Sequence, residues 1–327
     1  MAGVQLSRAT DALCERWGLG EALGGMIFLA IVTNLPEVAI TASGALRHDL
    51  AIAIGNLLGG IAMQTVVLVL LDVFGLSEKG SLTYRAASPQ MVLEGVLVIA
   101  ILALVIMGSQ LPASLVYARM APLETLIAGT WVFGLLVIGR MRNVSWPDDD
   151  DPPSDRARGE CVLPGSPANL AGPRALIVFA IGAAVTLACG VILETTSRTI
   201  AGQFGMNGVV FGATVLAAAT ALPQVSTGLA AVQMGDYRMA VSDVLGGNAF
   251  LPVLFLLATL LSGQAVLPLA QKTDIYLSGL GILLTGVYMT GLIYRSSRQI
   301  ARMGIDSFVV LVLYLAGIVG LLAISNQ

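Results

Sequence analysis

Charge is scarce in this chain. Only 11% of its 327 residues are charged, against 56% that are hydrophobic, and the mean hydropathy is +0.86. A soluble domain carries roughly 25% charged residues, so the shortage excludes a water-facing surface over a protein of this size. Histidine and cysteine are rarer still: one histidine, His48, and three scattered cysteines, Cys14, Cys161 and Cys189. That scatter excludes a disulfide framework and a CxxC metal site, and it makes zinc and copper poor fits. His48 falls in a predicted short loop and reads as an ordinary polar loop residue. Cys14 and Cys161 fall in predicted aqueous segments, and Cys189 inside a helix. Basic patches interleaved with aromatics are absent, which argues against nucleic acid as a partner. A serine protease within the membrane would need a serine–base pair, and the single histidine is in a loop. No paired catalytic aspartates occur either. The chain is therefore not read as an enzyme, and no cofactor is expected. Residues 1–20 are mixed polar, and the first apolar stretch holds Pro36 and Glu37 rather than a small-residue cleavage site, so no cleavable signal peptide is expected.

What the chain has instead is long apolar runs, such as 91–107 (MVLEGVLVIAILALVIM) and 175–193 (ALIVFAIGAAVTLACGVIL). Lipid admits only helices or closed barrels. Barrel strands alternate apolar and polar residues, whereas these runs are continuous and near the roughly 20 residues that span a bilayer as a helix. Nine such segments are predicted: about 21–44, 50–74, 91–108, 119–139, 174–194, 206–233, 238–262, 275–294 and 307–324. The fold class expected is all-α integral membrane. Residues 140–173, rich in proline, glycine and charge, form a hydrophilic loop. This loop separates a first membrane half, 1–139, from a second, 174–327. With the N-terminus cytoplasmic, 13 of the 17 Lys and Arg residues fall on the inside. That bias orients the protein in a plasma (inner) membrane with the N-terminus and the 140–173 loop cytoplasmic.

An internal repeat is the most informative feature. TNLPEV (33–38) matches TALPQV (220–225), and GNLLGG (55–60) matches SDVLGG (242–247). Both pairs share one offset of 187 residues, as do Gly25/Gly212, Asp49/Asp236 and Ala53/Ala240. Apolar helices match Leu and Val by chance, but not proline, aspartate and a glycine pair in register. The copies span about 24–71 and 211–258. Five intervening crossings separate them, so they are antiparallel in the membrane. Inverted repeats with interrupted helices mark secondary transporters whose site lies near the midplane.

The chemistry follows from those positions. Pro36 and Pro223 lack an N–H and clash with the carbonyl four residues back, so the carbonyls of Val32 and Ala219 are freed to line a cavity or meet a cation. Glu37 follows Pro36, with Thr33 one turn earlier, and Gln224 and Thr220 repeat the arrangement. Asn56 and Asp243 are equivalent positions on the next helix of each copy, each followed by a glycine pair that permits close helix approach. The predicted cluster is Glu37, Asp243, Asn56, Gln224, Thr33 and Thr220. A hard cation takes about 6–8 oxygen ligands, and this set supplies oxygen without nitrogen or sulfur donors. Carboxylates within a membrane are costly and usually functional, whereas Asn, Gln and the prolines could merely hold or kink helices. Glu94, Glu124 and Glu194 lie near predicted helix ends, where a side chain reaches water. Asp148 to Asp151 form an acidic run in the loop, read as solvated.

These motifs resemble the two α-repeats of the cation/calcium exchanger superfamily, in particular the sodium/calcium exchanger branch. Typical family motifs read close to GTSLPE and GN-x-x-GSN. The resemblance implies that Glu37, Asn56 and Asp243 match cation-ligand positions, with Thr33 and Thr220 beside them. It also exposes departures. The second-repeat glutamate is Gln224. The serines after the repeat threonines are Asn34 and Ala221, and those a turn before Asn56 and Asp243 are Ile52 and Met239. The resemblance implies that the family's usual first helix is missing and that the chain enters at the second.

The function expected is antiport of calcium, or a related divalent cation, against sodium or protons by alternating access. The partners expected are the lipid bilayer and small inorganic cations, with a homo-oligomer or a subunit supplying the missing helix as further options. The competing reading is a non-transporting membrane subunit or cation sensor derived from the exchanger fold.

Overall fold

The computed structural model describes residues 29–76, 80–112, 114, 120–141, 173–205, 207–296, 298–300 and 302–325. Cys14, Cys161, Gly25, the acidic run Asp148 to Asp151 and the residues bearing on a missing first helix lie outside this set.

The described chain is helical almost throughout. Its helices are α1 (Ala30–Thr33), α2 (Leu35–Leu46), α3 (Ala51–Gly75), α4 (Leu82–Ala86), α5 (Pro89–Gly108), α6 (Pro122–Arg140) and α7 (Pro173–Phe204). After these come α8 (Gly208–Phe211), α9 (Ala217–Thr220), α10 (Leu222–Met234), α11 (Tyr237–Phe250), α12 (Leu254–Ser262), α13 (Lys272–Tyr294) and α14 (Ile305–Ser325). A π-helical stretch, Gly212–Leu216, joins α8 to α9, and a 3₁₀ turn, Leu251–Val253, joins α11 to α12. Two-residue strands β1 (Gln299–Ile300) and β2 (Met303–Gly304) form a small antiparallel hairpin before α14.

Local chemistry sets the ends of these helices. Ser88 accepts the Met91 N–H at 3.2 Å, with Pro89 in the first turn, where its missing donor is harmless. Asp274 accepts the Gln271 N–H at 2.7 Å and Gln271 caps in return, starting α13. Gly235 (φ 89°) and Gly263 (φ 76°) end α10 and α12 in the left-handed conformation that glycine adopts without steric cost.

Eight helical spans among the described residues are long and apolar enough to cross a bilayer: Ala51–Gly75, Pro89–Gly108, Pro122–Arg140, Ala180–Gln203, Gly208–Met234, Tyr237–Ser262, Lys272–Tyr294 and Ile305–Ser325. They match the second to ninth predicted segments. The first predicted segment survives as α1 and α2, its opening residues lying outside the described set. The fifth runs further than its apolar stretch, to Phe204 rather than 194. The reason is that Thr195 and Thr199 return their hydroxyls to carbonyls four residues back, at 3.1 and 3.3 Å, so the polar run continues the helix. Cys189 lies in this helix, exposed.

Burial sorts the spans. Within their apolar windows, Ala51–Gly75 and Tyr237–Ser262 are 78% and 72% buried, against 18% for Ala180–Gln203 and 22% for Pro122–Arg140. The two helices carrying the glycine pairs are therefore central. The outer helices show large apolar side chains such as Phe133, Leu136, Ile192 and Val319 on their outward faces. That arrangement needs lipid as its solvent: the chain is an all-α integral membrane protein. Central packing relies on absent side chains. A β-carbon at Gly55 would overlap the Val209 backbone, and one at Gly59 the Ala213 backbone, which is the small-residue contact that lets membrane helices close.

The repeat is visible in the backbone. The first broken helix stops at Thr33 and resumes at Leu35; the second stops at Thr220 and resumes at Leu222. Each break sits 187 residues from the other and two residues before the proline. The following turns also match: the Asp49 N–H donates to the Gly44 carbonyl at 3.0 Å, and the Asp236 N–H to the Ala231 carbonyl at 2.9 Å.

Candidate cation site

The site is built where α1, α2, α9 and α10 meet α3 and α11. All six residues singled out from the sequence are buried there: Glu37, Asn56, Gln224 and Asp243 are 0% exposed, Thr33 0% and Thr220 1%. None faces lipid. The Thr33 hydroxyl lies 3.0 Å from Asp243 Oδ1 as a donor, and the Thr220 hydroxyl lies 3.4 Å from Asn56 Oδ1. Thr33 and Thr220 are repeat equivalents, and so are Asp243 and Asn56. The threonine of each copy thus reaches the helix-centre polar residue of the other. Reciprocal contacts of this kind arise when two copies face each other across a two-fold axis.

Around Asp243 the bonding is more complete than the sequence suggests. Thr227, one turn beyond Pro223, donates to Asp243 Oδ2 at 2.9 Å. Each carboxylate oxygen thus faces a threonine hydroxyl, which it shares with carbonyls of the threonine's own helix. Its repeat equivalent is Ile40, so no matching pair marked Thr227 in the sequence. Glu37 is the opposite case. The Thr220 hydroxyl approaches its carboxyl, but neither Glu37 oxygen has a partner in hydrogen-bond geometry. Asn56 Nδ2 and both amide atoms of Gln224 are also unpartnered. Buried polar atoms are nearly always bonded. Three unpartnered oxygens, two from Glu37 and one from Gln224, have the chemistry that a hard cation takes. Among the described residues no group of three or more His, Cys, Asp or Glu side chains comes together, so neutral oxygens would complete any coordination.

The two sides of the axis are unequal. Asn34 and Gln64 are joined at 2.6 Å (Gln64 Nε2 donating to Asn34 Oδ1), and Asn34 also donates to the Ala30 carbonyl. Asn248 Nδ2 lies 3.4 Å from Thr65 Oγ1. A methyl at Gly247 would lie 2.7 Å from Asn34 Nδ2, 2.9 Å from Gln224 Nε2 and 3.0 Å from Gln64 Oε1. Glycine there makes room for three amides. The equivalent Gly60 faces only Leu251, whose methyl a β-carbon would meet at 3.4 Å. At the equivalents of Asn34, Gln64 and Asn248 stand Ala221, Leu251 and Ile61. Asn34, Gln64 and Asn248 thus add amides that have no polar counterpart in the other repeat. Sequence reading missed Asn34, Gln64 and Asn248 as a group, because they lie on three separate segments and break the repeat instead of following it.

The carboxylates expected near water are placed elsewhere. Glu94 and Glu124 are 0% exposed and Glu194 1%. Glu124 accepts the Val266 and Leu267 N–H groups at 3.0 and 3.2 Å, tying α6 to the loop before α13. Glu194 accepts the Ser43 hydroxyl at 2.9 Å, joining α7 to α2. Glu94 accepts the hydroxyl of Ser242, the residue before Asp243. Neighbouring helices crossed these positions before the chain reached water.

Comparison with known proteins agrees with this architecture. The chain matches the family described as "Sodium/calcium exchanger protein" over residues 1–137 and 174–323. It is 24% identical over 295 residues to the inner membrane protein YrbG of Escherichia coli K12, covering 90% of this chain and 85% of that protein. It is 27% identical over 247 residues to CaxA of Alkalimonas amylolytica, named as a candidate antiporter, covering 73% and 70%. Its fold superposes on the sodium-calcium exchanger NCX_Mj with a TM-score of 0.63 at 15% identity, covering 97% of this chain and 93% of that one. The NCX_Mj structure soaked without sodium or calcium gives 0.61. With this sequence match over most of its length, the chain belongs to the sodium/calcium exchanger family, whose members are membrane cation antiporters and not enzymes.

Proposed function

We propose that the protein exchanges calcium, or a related divalent cation, for sodium or protons by alternating access. The cation is held at the repeat interface by Glu37, Asp243, Asn56, Gln224, Thr33 and Thr220. The observation that carries this reading is the buried pair of carboxylates from opposite repeats, set among hydroxyl and amide oxygens in the membrane interior. Charged side chains at that depth need a counter-charge, and a transported cation supplies one. The names of the relatives, an antiporter candidate and a sodium-calcium exchanger, support the same class.

Charge counting suggests the ratio. Glu37 and Asp243 carry two negative charges, which one divalent ion or two monovalent ions neutralise, so the exchange is two for one. The helix breaks at Asn34 and Ala221 lie beside the cage, where small rotations of α1–α2 and α9–α10 would open it to one side or the other. The orientation in the inner membrane, with the N-terminus cytoplasmic, rests on the distribution of Lys and Arg.

In proteoliposomes, an outward sodium or proton gradient should drive calcium uptake by the wild type and not by Glu37→Ala. No gradient-driven uptake, with a control exchanger active in parallel vesicles, would overturn the reading. The competing reading, a non-transporting cation sensor, is favoured by Gln224 standing where the repeat would place a second glutamate. It predicts cation binding without flux.

A further inference from the structure

We propose that Gln64 is a further ligand residue of the cation site, and that its amide oxygen, with that of Gln224, seats a monovalent metal cation such as sodium. This deepens the cation-exchange reading and rests on it. Gln64 lies on α3, about two turns beyond Asn56, at 1% exposure. A chain of hydrogen bonds forces its orientation. The Ala30 carbonyl can only accept, so Asn34 presents Nδ2 to it and turns Oδ1 to Gln64. Gln64 must then present Nε2 to Asn34 Oδ1, at 2.6 Å. Its own Oε1 is left on the side of Gly247, 3.0 Å from where a β-carbon of that glycine would stand. That oxygen has no partner, although buried polar atoms are nearly always bonded.

The same point lies 2.9 Å from Gln224 Nε2. Neither amide atom of Gln224 is bonded, so nothing fixes which end it presents, and its broad terminal torsion lets the oxygen turn in. Gly247 follows Asp243 by one turn on the same face of α11, which sets this space beside the proposed cage. The repeat supplies an internal control. Gly60 and Leu251 are the equivalents of Gly247 and Gln64, and they make the equivalent contact, at 3.4 Å from a Gly60 β-carbon to the Leu251 methyl. The equivalent of Asn34 is Ala221. The second repeat therefore builds the same helix break and the same glycine contact with Ala221 and Leu251. Packing does not require amides at 34 and 64. The donors that meet at Gly247 are neutral. Ligand charge sets affinity for a divalent ion, so a set without a carboxylate favours a singly charged one. An amide does not take up a proton as a carboxylate does, which points to sodium rather than protons. The proposed two-for-one exchange needs a second monovalent seat, and the amides supply it.

The test uses the purified full-length protein, with sodium and calcium titrated separately and thermal stabilisation as the readout. Choline chloride holds the ionic strength constant. Gln64→Leu copies the residue of the other repeat. It should weaken sodium binding on the order of tenfold, the scale of one lost contact to a charge, and leave calcium binding within about twofold. Gly247→Ala removes no ligand and favours the helix, but puts a methyl into the seat, and sodium binding should fall by a similar factor. Unchanged sodium affinity in Gln64→Leu would overturn the inference, since the oxygen would then hold water only. Equal losses for sodium and calcium would also overturn it, because Gln64 would then act through the position of Asn34. If Gln64→Leu fails to fold, unchanged sodium affinity in Gly247→Ala overturns the inference by itself. A wild type that binds calcium but not sodium would overturn it and leave the exchange reading standing. One that binds neither ion would sink the exchange reading.

Discussion

Glu37 and Asp243 occupy the same membrane interior but are prepared differently. Asp243 is held by hydroxyls on both oxygens, while Glu37 has none in bonding geometry. In the proposed site, Asp243 is the anchored carboxylate and Glu37 the one with oxygens to spare. Removing one charge from a desolvated ion cage costs about 2–5 kcal/mol. Glu37→Gln and Asp243→Asn should therefore each lower calcium affinity by about a hundredfold or more, measured by calcium-dependent thermal stabilisation. An unchanged midpoint shift in either variant would remove that residue from the cage. Thr227→Ala should have a smaller effect, about tenfold, as expected for the loss of one hydrogen bond to a charged group at about 1.5–3 kcal/mol. If its calcium affinity matches wild type, Asp243 does not need the second donor. Legibility at this scale was uneven. The six residues marked by the repeat were readable because symmetry doubled the signal. Thr227, Asn34, Gln64 and Asn248 were not, because their repeat equivalents are Ile40, Ala221, Leu251 and Ile61.

At the scale of elements, the decisive feature is how closely α3 approaches the strand of chain from Gly208 to Leu216. Gly55, Gly59 and Gly212 leave backbone against backbone: a β-carbon at Gly212 would lie 2.5 Å from the Ile52 carbonyl oxygen. That closeness sets the distance across which the Thr220 hydroxyl meets Asn56. Gly59→Val should lower stability by about 1–3 kcal/mol, the usual range for overpacking, read from the unfolding midpoint in detergent. It should also weaken cation binding without touching a ligand. A variant as stable as wild type would mean that the helices part without strain. That the helices are interrupted near Pro36 and Pro223 was foreseeable, since a ring that blocks a helical bond is a local fact; that the breaks fall at Asn34 and Ala221 was not. The continuation of α7 to Phe204 was not foreseeable from polarity. Threonines that bond back to their own helix can stay in it, and only the coordinates show that they do.

For the whole molecule, the inverted relation of the two copies makes charge movement a testable quantity. Under the proposed exchange of one divalent ion for two monovalent ions, no net charge crosses in a cycle. Calcium uptake into proteoliposomes should therefore stay within about twofold whether an ionophore sets the potential inside-negative or to zero, because each net charge moved would cost about 2.3 kcal/mol per 100 mV. A steep dependence on potential would exclude the two-for-one ratio.

Sequence alone settled that the chain lives in lipid, that it is helical, and that it contains two copies of one motif with acids inside the bilayer. These are consequences of hydropathy, of the backbone's need for internal hydrogen bonds, and of covalent spacing, none of which requires knowing what lies next to what. Tertiary structure decided the pairing of Thr33 with Asp243, the gathering of Asn34 and Gln64 against Gly247, and the burial of Glu94 beside Ser242. Those depend on which faces of distant helices meet. That choice is made by glycine contacts and packing across the whole membrane core, which no single stretch of chain encodes.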